Sequence, residues 1–204
     1  MRGVHRTIAP LAATVLLAAA CTSGDGHSSI AAGMAGTGPA FPPSTAQVPT
    51  PVVLTTQALV CRNAIDGGPA VAGWQTVLGV VALPASPGSP ALQASESGDP
   101  IAPALFAKTG LRIRTGRAFE LSVPVLTGNN VGIGWSGAPS GPSRRFVVPA
   151  CPDQYGTGWL AFPGGYWADR PLCLPVTVRA AGREQQVRIG IGTPCPGQEP
   201  PATP

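Results

Sequence analysis

The residues of this 204-residue chain whose chemistry reads most directly are five cysteines, Cys21, Cys61, Cys151, Cys173 and Cys195. In an oxidising compartment an odd count leaves one thiol over. Cys21 is the outlier, set off from Cys61 by low-complexity sequence. The other four suffice for two disulfides. The expected pairs are Cys151–Cys173, closing an aromatic segment, and Cys61–Cys195, tying the first strand to the last. Cys173–Cys195, bracing the ends of a final hairpin, is the rival. Histidine is nearly absent: His5 and His27 both precede the region that reads as folded. That removes Ser-His-Asp and Cys-His catalysis and His-based zinc sites from that region. With its cysteines oxidised it also lacks thiolate nucleophiles and metal-binding thiols. No metal and no cofactor is expected.

The carboxylates of that region are Asp66, Glu96, Asp99, Glu120, Asp153, Asp169 and Glu184. Glycoside hydrolysis needs two facing carboxyl groups at a set separation. Nothing in the spacing brings two together, so solvated surface charge is the expectation. The segment GIGWSG at 132–137 matches G-x-G-x-x-G, but APSGPS follows it and cannot start the helix a dinucleotide site needs. Gly132 and Gly134 are expected to face a neighbouring side chain across a sheet.

Two residue sets could recognise a ligand. Tyr155, Trp159, Phe162, Tyr166 and Trp167 are five of the chain's eleven aromatics, gathered in YGTGWLAFPGGYW. Exposed, such rings stack on sugar faces. Alternatively Trp159 and Phe162 fill a disulfide-braced core, with Gly164 and Gly165 making a turn. The second set is basic. Alternation puts Arg112 and Arg114 on one face of a strand, with Arg117, Arg144 and Arg145 nearby in sequence. They could meet phosphate of a wall polymer or anionic headgroups, or form a solvated sheet face that discourages edge pairing. The chain carries 12 Arg and one Lys, with a net charge of +4. That is too mild and too scattered for nucleic acid.

The start of the chain has three parts: MRGVHR, the uncharged run IAPLAATVLLAAA, and Cys21. Thirteen helical residues span about 20 Å, short of a ~30 Å hydrocarbon core. Residues 1–20 therefore read as a signal peptide. LAAAC resembles the bacterial lipobox, with Ala18 where that motif commonly has Leu. The resemblance implies that Cys21 receives a diacylglycerol thioether and becomes the mature N-terminus. A conventional cut after Ala20, giving an unlipidated secreted protein, is the alternative.

Residues 21–51 read as the lipidated Cys and a flexible Gly/Ser/Pro-rich linker, too poor in apolar residues to offset its ordering entropy. Residues 52–196 read as strand, turn, strand. LRIRT, RAFELSVPVL and VGIGWSG alternate, and LPVTVRAAGREQQVRIGIG looks like a hairpin turning near Gly182. ALFAKTG is at most one or two helical turns. The fold class expected is all-β, an antiparallel β-sandwich, immunoglobulin-like in the broad sense, with two disulfides. A partly open β-barrel is the alternative. Residues 197–204 are expected to be a disordered tail.

GWQTVLGVVALP, LFAKTGLRIRTGRAFELSVP, GIGWSG, FVVPAC, GWLAFPGGYW, PLCLPVTV and VRIGIGTPC occur in this order. Together they resemble a group of secreted or lipid-anchored proteins of high-GC Gram-positive bacteria. The resemblance covers about residues 70–196. It implies export, the cysteine framework and a β fold, and no catalytic residue. The expected function is that of a non-catalytic binding or structural lipoprotein on the outer face of the cytoplasmic membrane. Its partners would be the membrane through the lipid anchor, and a cell-wall polymer, a glycan or another envelope protein. A carbohydrate-active enzyme using carboxylates is the competing reading.

Overall fold

A computed structural model describes residues 52–136 and 141–202. The expected signal peptide, Cys21 and the expected linker lie outside the described residues.

Alternating apolar residues and frequent Gly/Pro breaks produce short strands. In chain order they are β1 (Gln57–Ala58), β2 (Gln75–Val77), β3 (Val81–Leu83), β4 (Ser95–Glu96), β5 (Leu105–Lys108), β6 (Leu111–Arg114) and β7 (Phe119–Ser122). There follow β8 (Val131–Trp135), β9 (Arg145–Val148), β10 (Trp159–Phe162), β11 (Gly164–Ala168), β12 (Leu172–Ala180) and β13 (Arg183–Ile191). They form three sheets, ordered β1-β9-β7-β12-β13, β10-β6-β3-β2 and β4-β5-β11-β8. All pairings are antiparallel except β1 with β9. The fold is all-β and sandwich-like, and its sheets do not close into a barrel. ALFAKTG, read as a turn or two of helix, is strand β5 and its exit.

Two of the sheets are joined at a corner. β6 pairs with β10 from Trp159↔Arg114 to Phe162↔Leu111. β5 pairs with β11 from Gly165↔Lys108 to Ala168↔Leu105. The register is unbroken from one ladder to the next, so 105–114 and 159–168 are two long strands that bend together from one sheet into another. The bend falls where Pro163, which has no N–H to give, stands opposite Gly110. Gly164 and Gly165, expected in a turn, belong to β11. One core fills the space enclosed, from Val77 and Leu83 through Ile113, Phe146, Phe162 and Tyr166 to Val176 and Ile189.

The disulfides correct the expected pairing: they are Cys61–Cys151, with Cα atoms 5.5 Å apart, and Cys173–Cys195, 4.9 Å apart. The reason is the one parallel pairing. β1 runs alongside β9 with Gln57 opposite Phe146 and Ala58 opposite Val147. Leaving in the same direction, the two chains deliver Cys61 and Cys151 to each other a few residues later. Cys173, opposite Gly190 in the final hairpin, is capped by Cys195 just beyond β13.

Residues 197–202 also differ from the disordered tail expected. The Gly88 and Ala91 amides donate to the carbonyls of Gly197 and Glu199, and Glu199 N–H donates to Ser89 O. The Gln198 amide oxygen accepts from Gly190 and Cys195 N–H, while its nitrogen donates to Pro84 O and the Ser89 hydroxyl. Cys195 pins the chain, and Gln198 satisfies backbone groups that would otherwise be buried unpaired.

The β12–β13 hairpin turns at Ala181–Gly182, both with positive φ (47° and 72°), between the paired Ala180 and Arg183. Two positive φ values define the turn whose twist suits a two-residue hairpin, and Asn is the favoured residue before Gly. Ala181→Asn is expected to raise stability by about 0.5–1 kcal/mol, since Asn tolerates the left-handed region that strains Ala. The urea midpoint should rise at constant slope; a fall would contradict the turn geometry.

Candidate functional site

The aromatic segment does not form one platform. Tyr166 and Trp167 are neighbours on β11, so the pleat sends them to opposite faces. Tyr166 is fully buried, its ring edge-on to Trp135 at 5.3 Å. Trp159 is buried on β10, and Phe162 is core. Tyr155 is exposed beside the Cys61–Cys151 bridge, where its hydroxyl donates to Ala64 O at 3.1 Å. Of the ring candidates only Trp167 is half-buried at an opening. It rests against Phe106, centroids 4.5 Å apart, and borders a cleft of about 310 Å³ with Trp135 and Pro163, floored by Gly134 and Gly164. Trp135 is held from behind, its indole N–H donating to Thr109 O at 3.1 Å. The expectation for Gly134 holds: a Cβ there would touch the Trp167 ring at 3.4 Å.

Tyr166 is thus corrected from ligand contact to core, and its hydroxyl has no hydrogen-bond partner among the described residues. Burial pushes its phenol pKa up, so the group stays neutral. Tyr166→Phe removes an unsatisfied buried donor and should raise stability by about 1 kcal/mol. A lower melting temperature would show that the hydroxyl is paired.

The basic candidates also separate. Arg112 and Arg114 share a face of β6, as alternation requires, but their surroundings differ. Arg112 is half-buried and pairs with Asp66 at 3.2 Å. Arg145 pairs with Glu120. Arg114 is exposed and has no acidic partner among the described residues; its guanidinium carbon lies 4.7 Å from the centre of the Trp159 ring. It borders a polar recess of about 340 Å³ with Thr115, Arg117, Gly79 and Gly158. Arg117 and Gly79 also border a second recess of about 320 Å³, completed by Leu78, Ala181 and Arg183. Arg183 was not singled out in the sequence. It lies far from Arg117 along the chain, and the two border one recess where the β2–β3 and β12–β13 turns meet.

Most of the acids are occupied. Glu120 and Glu184 come near each other beside a cleft of about 500 Å³, but Arg179 stands between them, 3.5 Å from Glu120 and 2.7 Å from Glu184. Its guanidinium takes one oxygen of each carboxylate, and Arg145 takes the other oxygen of Glu120. Asp153 is turned onto the amides of its own loop. The Gly158 N–H chiefly lowers its pKa; desolvation opposes it, and the Thr157, Tyr155 and Gly156 amides add to the lowering. A lowered carboxylate holds its loop at pH values above the ordinary one and releases it as pH falls through the lowered value. Asp169 accepts from the backbone and side-chain amides of Asn130. Among the described residues no three His, Cys, Asp or Glu side chains gather as metal ligands.

No protein-family model and no curated protein matches this chain.

Proposed function

We propose that this chain is an exported, lipid-anchored module of the cell envelope that binds or braces and does not catalyse. The observation that carries the reading is the division of the cysteines. Four are consumed in two disulfides within the domain, and disulfides persist in oxidising compartments. Cys21 is left over, directly after LLAAA, where a lipobox would place the acylated residue. Support for binding over catalysis comes from Asp66, Glu120, Asp153 and Glu184, which are engaged by arginines or backbone amides, and from the absence of histidine after position 27.

Cell fractionation tests the anchor. The wild-type chain should partition with membranes and into detergent. Cys21→Ser should lose its acyl chains and appear in the soluble fraction or the medium. Equal partitioning of the two forms would sink the proposal.

A further inference from the structure

We propose that the end of the domain where the β2–β3 and β12–β13 turns meet binds a linear polyanion, a polymer carrying phosphodiester or carboxylate groups on successive units. The inference rests on the binding reading above but not on the anchor. An unacylated Cys21 would remove the anchor and leave this site as it stands.

Three arginines border two recesses that share Arg117 and Gly79. Arg114 borders the first recess, Arg117 both, and Arg183 the second. Among the described residues none of the three takes part in an ion pair, whereas Arg112, Arg145 and Arg179 all do. No acidic side chain lines either recess. An arginine that takes part in no ion pair is free to give an oxyanion bidentate hydrogen bonds. Arg114 is already oriented by stacking on Trp159, so less side-chain entropy is lost when it engages. Gly79 and Gly158 leave the floor of the first recess free of side chains. A Cβ at Gly158 would lie 3.3 Å from an Arg114 nitrogen and narrow the approach.

The layout favours a chain over a single ion or a bilayer. Two adjoining recesses that share Arg117 suit successive charged units of an extended polymer. A flat anionic membrane would also press on Glu120 and Glu184, which border the neighbouring cleft together with Arg183. Of the apolar residues lining the second recess, Leu78 is half-buried, Val80 and Ala180 are buried, and the exposed ones, Ala118 and Ala181, carry only a methyl group, so no large exposed apolar anchor stands ready for lipid.

The test titrates the unacylated Cys21→Ser form of the full chain, so that no acyl anchor contributes, with poly(glycerol phosphate), with polygalacturonate and with phosphatidylglycerol vesicles, at low and high salt, following tryptophan emission and sedimentation. At least one polymer should bind at low salt and weaken at high salt. The triple change Arg114→Gln, Arg117→Gln, Arg183→Gln should lower that affinity about tenfold or more. The double change Arg117→Gln, Arg183→Gln, which keeps the Arg114–Trp159 stack, should also weaken it. Arg188→Gln, an exposed arginine elsewhere on β13, should not. Three results overturn the proposal: no polymer binds at low salt; the triple change leaves affinity intact or Arg188→Gln costs as much; or vesicles bind in preference to both polymers.

Discussion

Replacing Cys61 and Cys151 together by alanine should lower stability by about 4–5 kcal/mol, the larger of the two disulfide losses. The bridge spans 90 residues, against 22 for Cys173–Cys195. In the chain-entropy model the shorter loop contributes only about 3 kcal/mol. The native state points the same way. Cys61–Cys151 secures β1, only two residues long and attached to its sheet by one parallel pairing. It also fixes the loop where Gln154 donates to Cys61 O and Tyr155 to Ala64 O. Cys173 and Cys195 bracket a hairpin of nine paired residues per arm, which has its own ladder. Because whole domains are stable by only about 5–15 kcal/mol, losing the longer bridge consumes much of the margin. Urea unfolding of the two double-alanine variants checks the order. Equal losses, or a larger loss at Cys173–Cys195, would contradict it.

The second large effect is at Gly165. In β11 it sits between β5 and β8, opposite Lys108 and Gly134. A Cβ there would run into the carbonyl oxygen of Ala107 and meet the Phe106 ring at 2.7 Å. A backbone oxygen in a ladder cannot swing aside as the tip of a side chain can. Gly165→Ala should therefore force the sheet apart and cost about 3 kcal/mol or more. The change also unseats Phe106 from Trp167, and with it the wall of the aromatic cleft. Gly110→Ala is the matched control. Its Cβ would meet only Phe162 O at 3.7 Å, an ordinary contact, so its cost should stay below about 1 kcal/mol. Similar melting temperatures for the two variants would contradict the packing described.

What could be read in advance follows the range of the physics involved. The β12–β13 hairpin was legible because alternation and a turn are local signals, and Val176 does face Val187 across the ladder. The Cys61–Cys151 bridge was not, since it depends on parallel pairing between segments far apart in the chain, which no local period reports. Tyr166 and Trp167 were separable in principle. Adjacent residues of any strand take opposite faces, but GGYW reads as a turn until Pro163 is recognised as a corner between sheets. Arg112 and Arg114 were placed on one face correctly. Their different partners, Asp66 and Trp159, come from segments that only the folded chain sets beside β6. Arg183 carries no motif, and its proximity to Arg117 arises where two hairpin turns from different sheets meet.

The claim that the domain is held at the envelope comes down to one sulfur atom. Mass spectrometry of the N-terminal peptide of the mature protein, isolated from its native cells, tests it most directly. The account predicts a chain that begins at Cys21 and carries a diacylglyceryl thioether. A peptide that begins elsewhere, or a Cys21 without acyl chains, would contradict it.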